Sequence, residues 1–361
     1  MLHKKQSIFN LLLRLWDSIE VRRQRQFHLL FILMVLVSFA EIISIGAVLP
    51  FLGALTAPES VYEYPILQPL IHTFGITSHE ELLLPLTVFF CFAVFMAATM
   101  RLLFLWASTY LAFQTGHDLS SNIYLKTLFQ PYSVHIARNS SKLIHGISVK
   151  ASSVINGIIV PFMNIVSSFI LITVILTGIF LINPLIAVSF FGGFGLIYAL
   201  LILFTKKRLL ANGLRIVKES NFVIKSLQEG LGAIRDVLID GNQHEYCEIY
   251  RNADMPLRRA EGKNLFIGQS PRFVIEAFGI ILIALLAYSL TENHDGFVKA
   301  IPLIGGLVVA AQRLLPLLQQ SYVAWSCIIG GQASLIETLE LLDQELPNYE
   351  YDKGVKKISF K

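Results

Sequence analysis

Charge is scarce in this sequence: 15% of its 361 residues are Asp, Glu, Lys or Arg, against about 25% in soluble domains. That scarcity argues against a water-soluble domain, and 54% hydrophobic content with a mean hydropathy of +0.62 points to lipid instead. Cysteine is nearly absent. Cys91, Cys247 and Cys327 stand alone, so neither a disulfide framework nor a thiolate metal site is expected. The nine His residues are scattered without paired ligand spacing, which leaves no metal centre in view. A Gly-x-x-x-x-Gly-Lys-[Ser/Thr] loop is missing too, as is an acid after a hydrophobic strand, so the chain carries no phosphate-wrapping or catalytic motif. The long apolar runs do not alternate with polar residues, which excludes a membrane β-barrel. Nucleic acid is not an expected partner.

What is present is a set of six apolar stretches, near 28–55, 82–112, 154–182, 184–204, 268–290 and 301–330. Each is long enough for a helix to cross a bilayer, which takes roughly 20 residues. The connections alternate in charge. Lys4, Lys5, Arg14, Arg22, Arg23 and Arg25 precede the first span, whereas the loop 56–81 has Glu59, Glu63, Glu80 and Glu81 and no Lys or Arg. Loop two (113–153) has Lys126, Arg138, Lys142 and Lys150, loop four (205–267) has eleven basic residues, and the loop near 291–300 has only Lys299. The positive-inside rule therefore expects both termini and loops two and four in the cytoplasm. No cleavable leader is expected, since the first span is too long and no small-x-small site occurs before Thr56.

Residues 1–27 read as an elbow helix before the first span. Ile8, Leu11, Leu12, Leu15, Trp16 and Ile19 form one stripe, which suits a helix lying in the inner interface, or else a polar leader in water. In the outer loop, Ile66 to Phe74 has helical apolar spacing, as an amphipathic helix on the outer leaflet or a cap on the spans. Loops two and four each read as a helix leaving the membrane, a break, and a helix returning. The first break is marked by Pro131 and Asn139-Ser140-Ser141, the second by Gly230, Gly232 and Gly241. Ile224, Leu227, Leu231, Ile234, Val237 and Leu238 form an apolar stripe on that second arm. Past 340 comes a linker, 341–361, ending in a strand-like "KKISFK".

Five ionisable residues fall inside the spans: Glu41, Arg101, Arg272, Glu276 and Arg313. Each costs about 2.5–3.5 kcal/mol near the bilayer centre, so each should face a cavity or a partner. Arg313 lies about ten residues, or roughly 15 Å, from the outer end of its span. Arg272 and Glu276 are spaced to pair with each other, and Glu41 is placed to neutralise an arginine of another span. Arg313, with Gln312, Gln319 and Gln320 on its helix, reads as a polar lining; a guanidinium matches paired phosphate oxygens and stays charged when desolvated. Gly46 and Pro50 let the first span bend at its outer end, above Glu41.

Six spans taken two by two, long arms and an elbow helix resemble the membrane half of an ATP-binding-cassette exporter of the domain-swapped, six-helix type. Gln228-Glu229-Gly230-Leu231-Gly232-Ala233-Ile234-Arg235-Asp236-Val237 looks like that family's second coupling segment. Gln130-Pro131-Tyr132 with Arg138-Asn139-Ser140-Ser141-Lys142-Leu143-Ile144 looks like the first. Glu41 to Gly46, Leu49-Pro50-Phe51 and the outer-loop helix are most similar to the lipid-linked oligosaccharide flippases. The resemblance implies an all-α membrane protein and a homodimer in a plasma membrane, the bacterial inner membrane for this subgroup. It implies an anionic lipid-linked glycan as cargo, and ATP with Mg²⁺ on a nucleotide-binding domain joined after the last span or supplied as a separate subunit. Exporters of peptide, drug or plain lipid share the scaffold, and a passive channel or receptor would share six spans. Gly330-Gly331-Gln332 echoes part of an ATP-binding signature, but it lies at the inner end of a membrane helix and is not read as one.

Overall fold

The structure, a computed structural model, describes residues 7–56, 82–137, 151–182, 184–293 and 297–345. The expected outer-loop helix, the segment from Arg138 to Lys150 and the "KKISFK" strand lie outside the described residues. Among the described residues all regular structure is helical. The chain starts with α1 (Ile8–Asp17), α2 (Val21–Gly46) and α3 (Val48–Thr56), then α4 (Leu83–Leu128) and α5 (Tyr132–Ala137). A short α6 (Ala151–Val154) runs through a π turn (Ile155–Ile159) into α7 (Val160–Ile182). There follow α8 (Pro184–Gly232), α9 (Ile234–Asp240), α10 (Gln243–Gln269), α11 (Pro271–Asn293) and α12 (Phe297–Leu342).

Length separates membrane helix from arm. Helices α4, α8 and α12 have 46, 49 and 46 residues, so each is about 70 Å long against a hydrocarbon core of about 30 Å. Among the described residues, Val21–Leu55, Leu83–Leu128 and Ser152–Leu181 are long and apolar enough by themselves to span a membrane. Large apolar side chains such as Phe95, Leu102, Trp106, Leu203 and Phe204 stand exposed around the bundle, where lipid tails would be their solvent.

The breaks follow local chemistry. The first span is interrupted at Ala47, between α2 and α3. Pro50 sits three residues on, and its ring conflicts with the carbonyl of Gly46. As the third residue of α3, it removes only an N–H that a helix start leaves unpaired anyway. Pro184 and Pro271 each open a helix, a position for which proline is pre-shaped. At the arm tip Gly241 adopts φ 68° and caps α9, a left-handed conformation in which a side chain would be strained. The arm stripe is not one helix: it breaks at Ala233, leaving Ile224, Leu227 and Leu231 on α8 and Ile234, Val237 and Leu238 on α9.

Helix α12 is the axis, packing against α7, α8, α11, α3, α10 and α1. It comes closest where side chains vanish. A Cβ on Gly213 of α8 would sit 2.2 Å from the Gly330 carbonyl oxygen, and one on Gly330 would sit 2.9 Å from Asn264 of α10. One on Gly331 would meet Gly157 of the π turn at 3.4 Å. Gly330 and Gly331 therefore serve helix crossing, as small residues do in membranes.

The elbow helix differs from expectation in what its stripe touches. Leu11 and Leu15 are buried among Leu335, Leu339 and Leu342 of α12 and Ile123 of α4, with Ile8 and Leu12 beside them. Protein, not lipid, covers that face; Phe9 and Leu13 are the exposed apolar residues of α1. Trp16 packs edge-on against Phe27 and His28. Polar links tie the same corner: Arg14 pairs with Asp343, and Arg23 Nε donates to Asp118 Oδ2 at 2.6 Å.

Candidate functional site

Three helices bring charge to one point. Glu41 lies on α2, Arg101 on α4 and Arg313 on α12. Glu41 is buried, its side chain 4% exposed, and its Oε1 contacts Arg101 Nε while its Oε2 lies 4.0 Å from Arg313 Nε. Among the described residues neither carboxylate oxygen has a hydrogen-bond partner. The arginines are more open, at 41% and 31%. Two cations thus share one anion, and the cluster keeps one positive charge in excess.

That cluster lines a cavity of about 350 Å³. Its polar wall includes Gln312, Gln320, Asn164, Ser167 and Ser108, and its apolar wall includes Phe104 and Leu171. A second cavity of about 210 Å³ lies beside the Ala47 break, bounded by Ser44, Val48, Phe51, Phe90 and again Arg313. Phe51 and Phe90 stack at 5.0 Å across its wall. Arg313 borders both spaces, and Glu41 stands on α2 six residues before the Ala47 break.

Of the residues singled out from sequence, Glu41, Arg101, Arg313 and Gln312 come together. Gln319 is half-buried and does not line the cavity; its neighbour Gln320 does. Arg272 and Glu276 lie elsewhere, on the exposed face of α11, one turn apart at 3.9 Å. Sequence reasoning missed Asn164, Ser167 and Ser108. The amide of Asn164, alone in the apolar run of α7, was the available signal.

The second candidate region is the arm. Between α8 and α10 runs a groove of about 680 Å³ lined by Gly230, Leu231, Ile234, Val237, Tyr246 and Arg258, among others. Gly230 admits the Tyr246 ring, since a Cβ there would lie 3.3 Å from it. Glu229 pairs with Lys225 at 3.6 Å, and Arg235 and Asp236 are exposed. Asp254 first, then Glu261, push the Arg258 guanidinium above its ordinary value, so it stays charged at any physiological pH. On the other arm Tyr132 is exposed just after Pro131. Two residues fasten that arm to the end of α12: Lys126 donates to the Leu342 carbonyl, and Gln130 Nε2 to the Glu345 carbonyl at 2.9 Å. Arg138, Asn139 and Ser140 lie outside the described residues.

The family model described as ABC transporter transmembrane region matches residues 27–312. No curated protein matches the chain. Among solved structures, one titled as a bacterial Atm1-family ABC exporter with ATP bound is similar at a TM-score of 0.66 and 15% identity, over 90% of this chain and 55% of that one. The chain therefore spans about half the length of that exporter, and the likeness is one of fold.

Proposed function

The chain belongs to the family of ABC transporter transmembrane regions, and from that premise we propose that it is the membrane half of an ATP-driven exporter. It works as a homodimer, with a nucleotide-binding domain in cis or as a separate subunit. ATP-driven closure of those domains pushes on the segments at 130–144 and 228–241. The arms carry the push as rigid helices and switch the cavity from inward to outward opening. The cargo is an anionic lipid-linked glycan, moved from inner to outer leaflet, with both termini in the cytoplasm.

One observation carries the cargo reading: Arg101 and Arg313 face a membrane cavity with only Glu41 between them. Unbalanced positive charge in a bilayer is costly, and a phosphate or pyrophosphate group would offset it through charge-assisted hydrogen bonds. Phe104 and Leu171 beside those arginines, and Val48, Phe51 and Phe90 around the second cavity, supply the apolar wall that a lipid-attached cargo requires.

The test is transport in vesicles containing the assembled transporter. Arg313→Ala should cut movement of a pyrophosphate-linked lipid by ~10-fold or more, the loss expected when a hydrogen bond to a charged group disappears, with membrane insertion intact. Equal transport by the variant would reject the role of Arg313. Equal transport of an uncharged lipid by the wild-type protein would favour the plain-lipid or drug reading instead.

A further inference from the structure

Glu41 has a property that cavity lining does not explain. Its carboxylate is almost fully buried, has no hydrogen-bond partner among the described residues, and is held by two guanidinium groups from two other helices. A charge so placed is stable only while paired; with its partners occupied elsewhere, it would be a buried unpaired anion. The two contacts are unequal. Arg101 is in close contact, whereas Arg313 stands at 4.0 Å and borders the second cavity as well. The looser link opens first.

The geometry points to Glu41 as the resident counter-anion of the arginine site: it occupies the guanidinium groups in the empty transporter, and an incoming phosphate-class anion competes with it, taking Arg313 first. This rests on the proposed anionic cargo and adds a positioning residue to it. Competition has two consequences. It lowers affinity for the anion, because the bound state must replace an existing ion pair. It also makes release possible, since Glu41 returns to Arg313 when the headgroup leaves. Because Glu41 sits on α2 and Arg313 on α12, losing their contact also removes a charged link between α2 and the axial helix just before the Ala47 break.

Glu41→Gln keeps the shape and deletes the charge. The probes are farnesyl pyrophosphate, inorganic pyrophosphate and farnesol, bound to the purified, detergent-solubilised protein and its variants. Glu41→Gln should bind farnesyl pyrophosphate roughly tenfold more tightly, the scale of one charge interaction near 4–5 Å at intermediate dielectric. Farnesol binding should not change. In reconstituted vesicles the same variant should lower both the concentration giving half-maximal transport and the maximal rate, because the headgroup is held. A merely structural Glu41 would instead weaken binding or leave it unchanged, and either result overturns the inference.

If Glu41→Gln does not survive solubilisation, Glu41→Asp decides. It retains the charge but draws the carboxylate back from Arg313, so binding should tighten by about two- to threefold; unchanged or weaker binding counts against the inference. Inorganic pyrophosphate binding alone, with the same response to Glu41→Gln, would assign the competition to the headgroup. A response only with the farnesyl chain attached would contradict it. A wild-type protein that does not distinguish farnesyl pyrophosphate from farnesol removes the anionic cargo and this inference together. One that does distinguish them, with no gain in Glu41→Gln, removes the inference alone.

Discussion

At Gly213 two helix backbones meet, and the balance of two opposing effects can be read directly. Alanine in place of glycine favours a helix by up to about 1 kcal/mol. Here the added Cβ would lie 2.2 Å from a backbone carbonyl oxygen, which cannot rotate aside as a side chain can. Forced overpacking costs about 1–3 kcal/mol, so the clash wins, and Gly213→Ala should lower the thermal midpoint of the solubilised protein. Gly262, inside α10, has nothing within 4 Å of such a Cβ. Gly262→Ala should therefore raise the midpoint, or at least leave it in place. The same substitution type with opposite signs separates crossing glycines from incidental ones. The sequence pattern alone does not, because both glycines sit in otherwise ordinary helical runs.

Helix α1 poses the corresponding question for an element. Its stripe at 8, 11, 12, 15 and 19 is visible in the sequence, but a stripe shows only that a face is apolar. Lipid tails and leucine side chains are equally apolar, so periodicity cannot say which of them covers it. Packing answers: Leu11 is fully buried against α12 and α4, while Leu13 is half-exposed. Leu11→Ala should cost about 2–5 kcal/mol as a cavity in packed protein, read as a drop in thermal midpoint, and Leu13→Ala should have little effect. For the same reason the long apolar helices and the break at Gly241 were legible, because they follow from hydropathy and from Gly backbone limits. The meeting of Glu41 with Arg101 and Arg313 was legible only as a need for partners. Sixty residues separate the first pair and more than two hundred the second, and no local rule chooses between Arg101, Arg272 and Arg313. Helix α9 shows a third case. Ile234 and Leu238 are exposed, so changing both to Ser should shift stability by less than about 0.5 kcal/mol each. In the assembled transporter the same pair of changes should leave ATP hydrolysis running while transport falls. Hydrolysis and transport that remain coupled would show that α9 does not receive the push.

For the whole molecule, the decisive feature is how α8 and α10 leave the bundle. They pack along each other beyond the membrane spans, yet Leu214, Leu231, Ile239 and Leu265 on this arm are exposed. Two helices in water cannot cover apolar faces on more than one side, so these side chains are left for a partner to cover. The proposed homodimer would supply one, since closed twofold assembly presents the same arm to each copy. Cys247 reports on this, because it is exposed on α10 and borders the α8–α10 groove. In the assembled dimer its alkylation by a maleimide should slow several-fold relative to the dissociated protein, and slow further when ATP closes the nucleotide-binding domains. Native mass measurement on the same sample fixes the copy number. A dimer in which Cys247 reacts as fast as in the dissociated chain would mean that the second copy leaves this arm uncovered. The push on 228–241 would then have to travel through the arm's own two helices rather than through a cross-subunit contact.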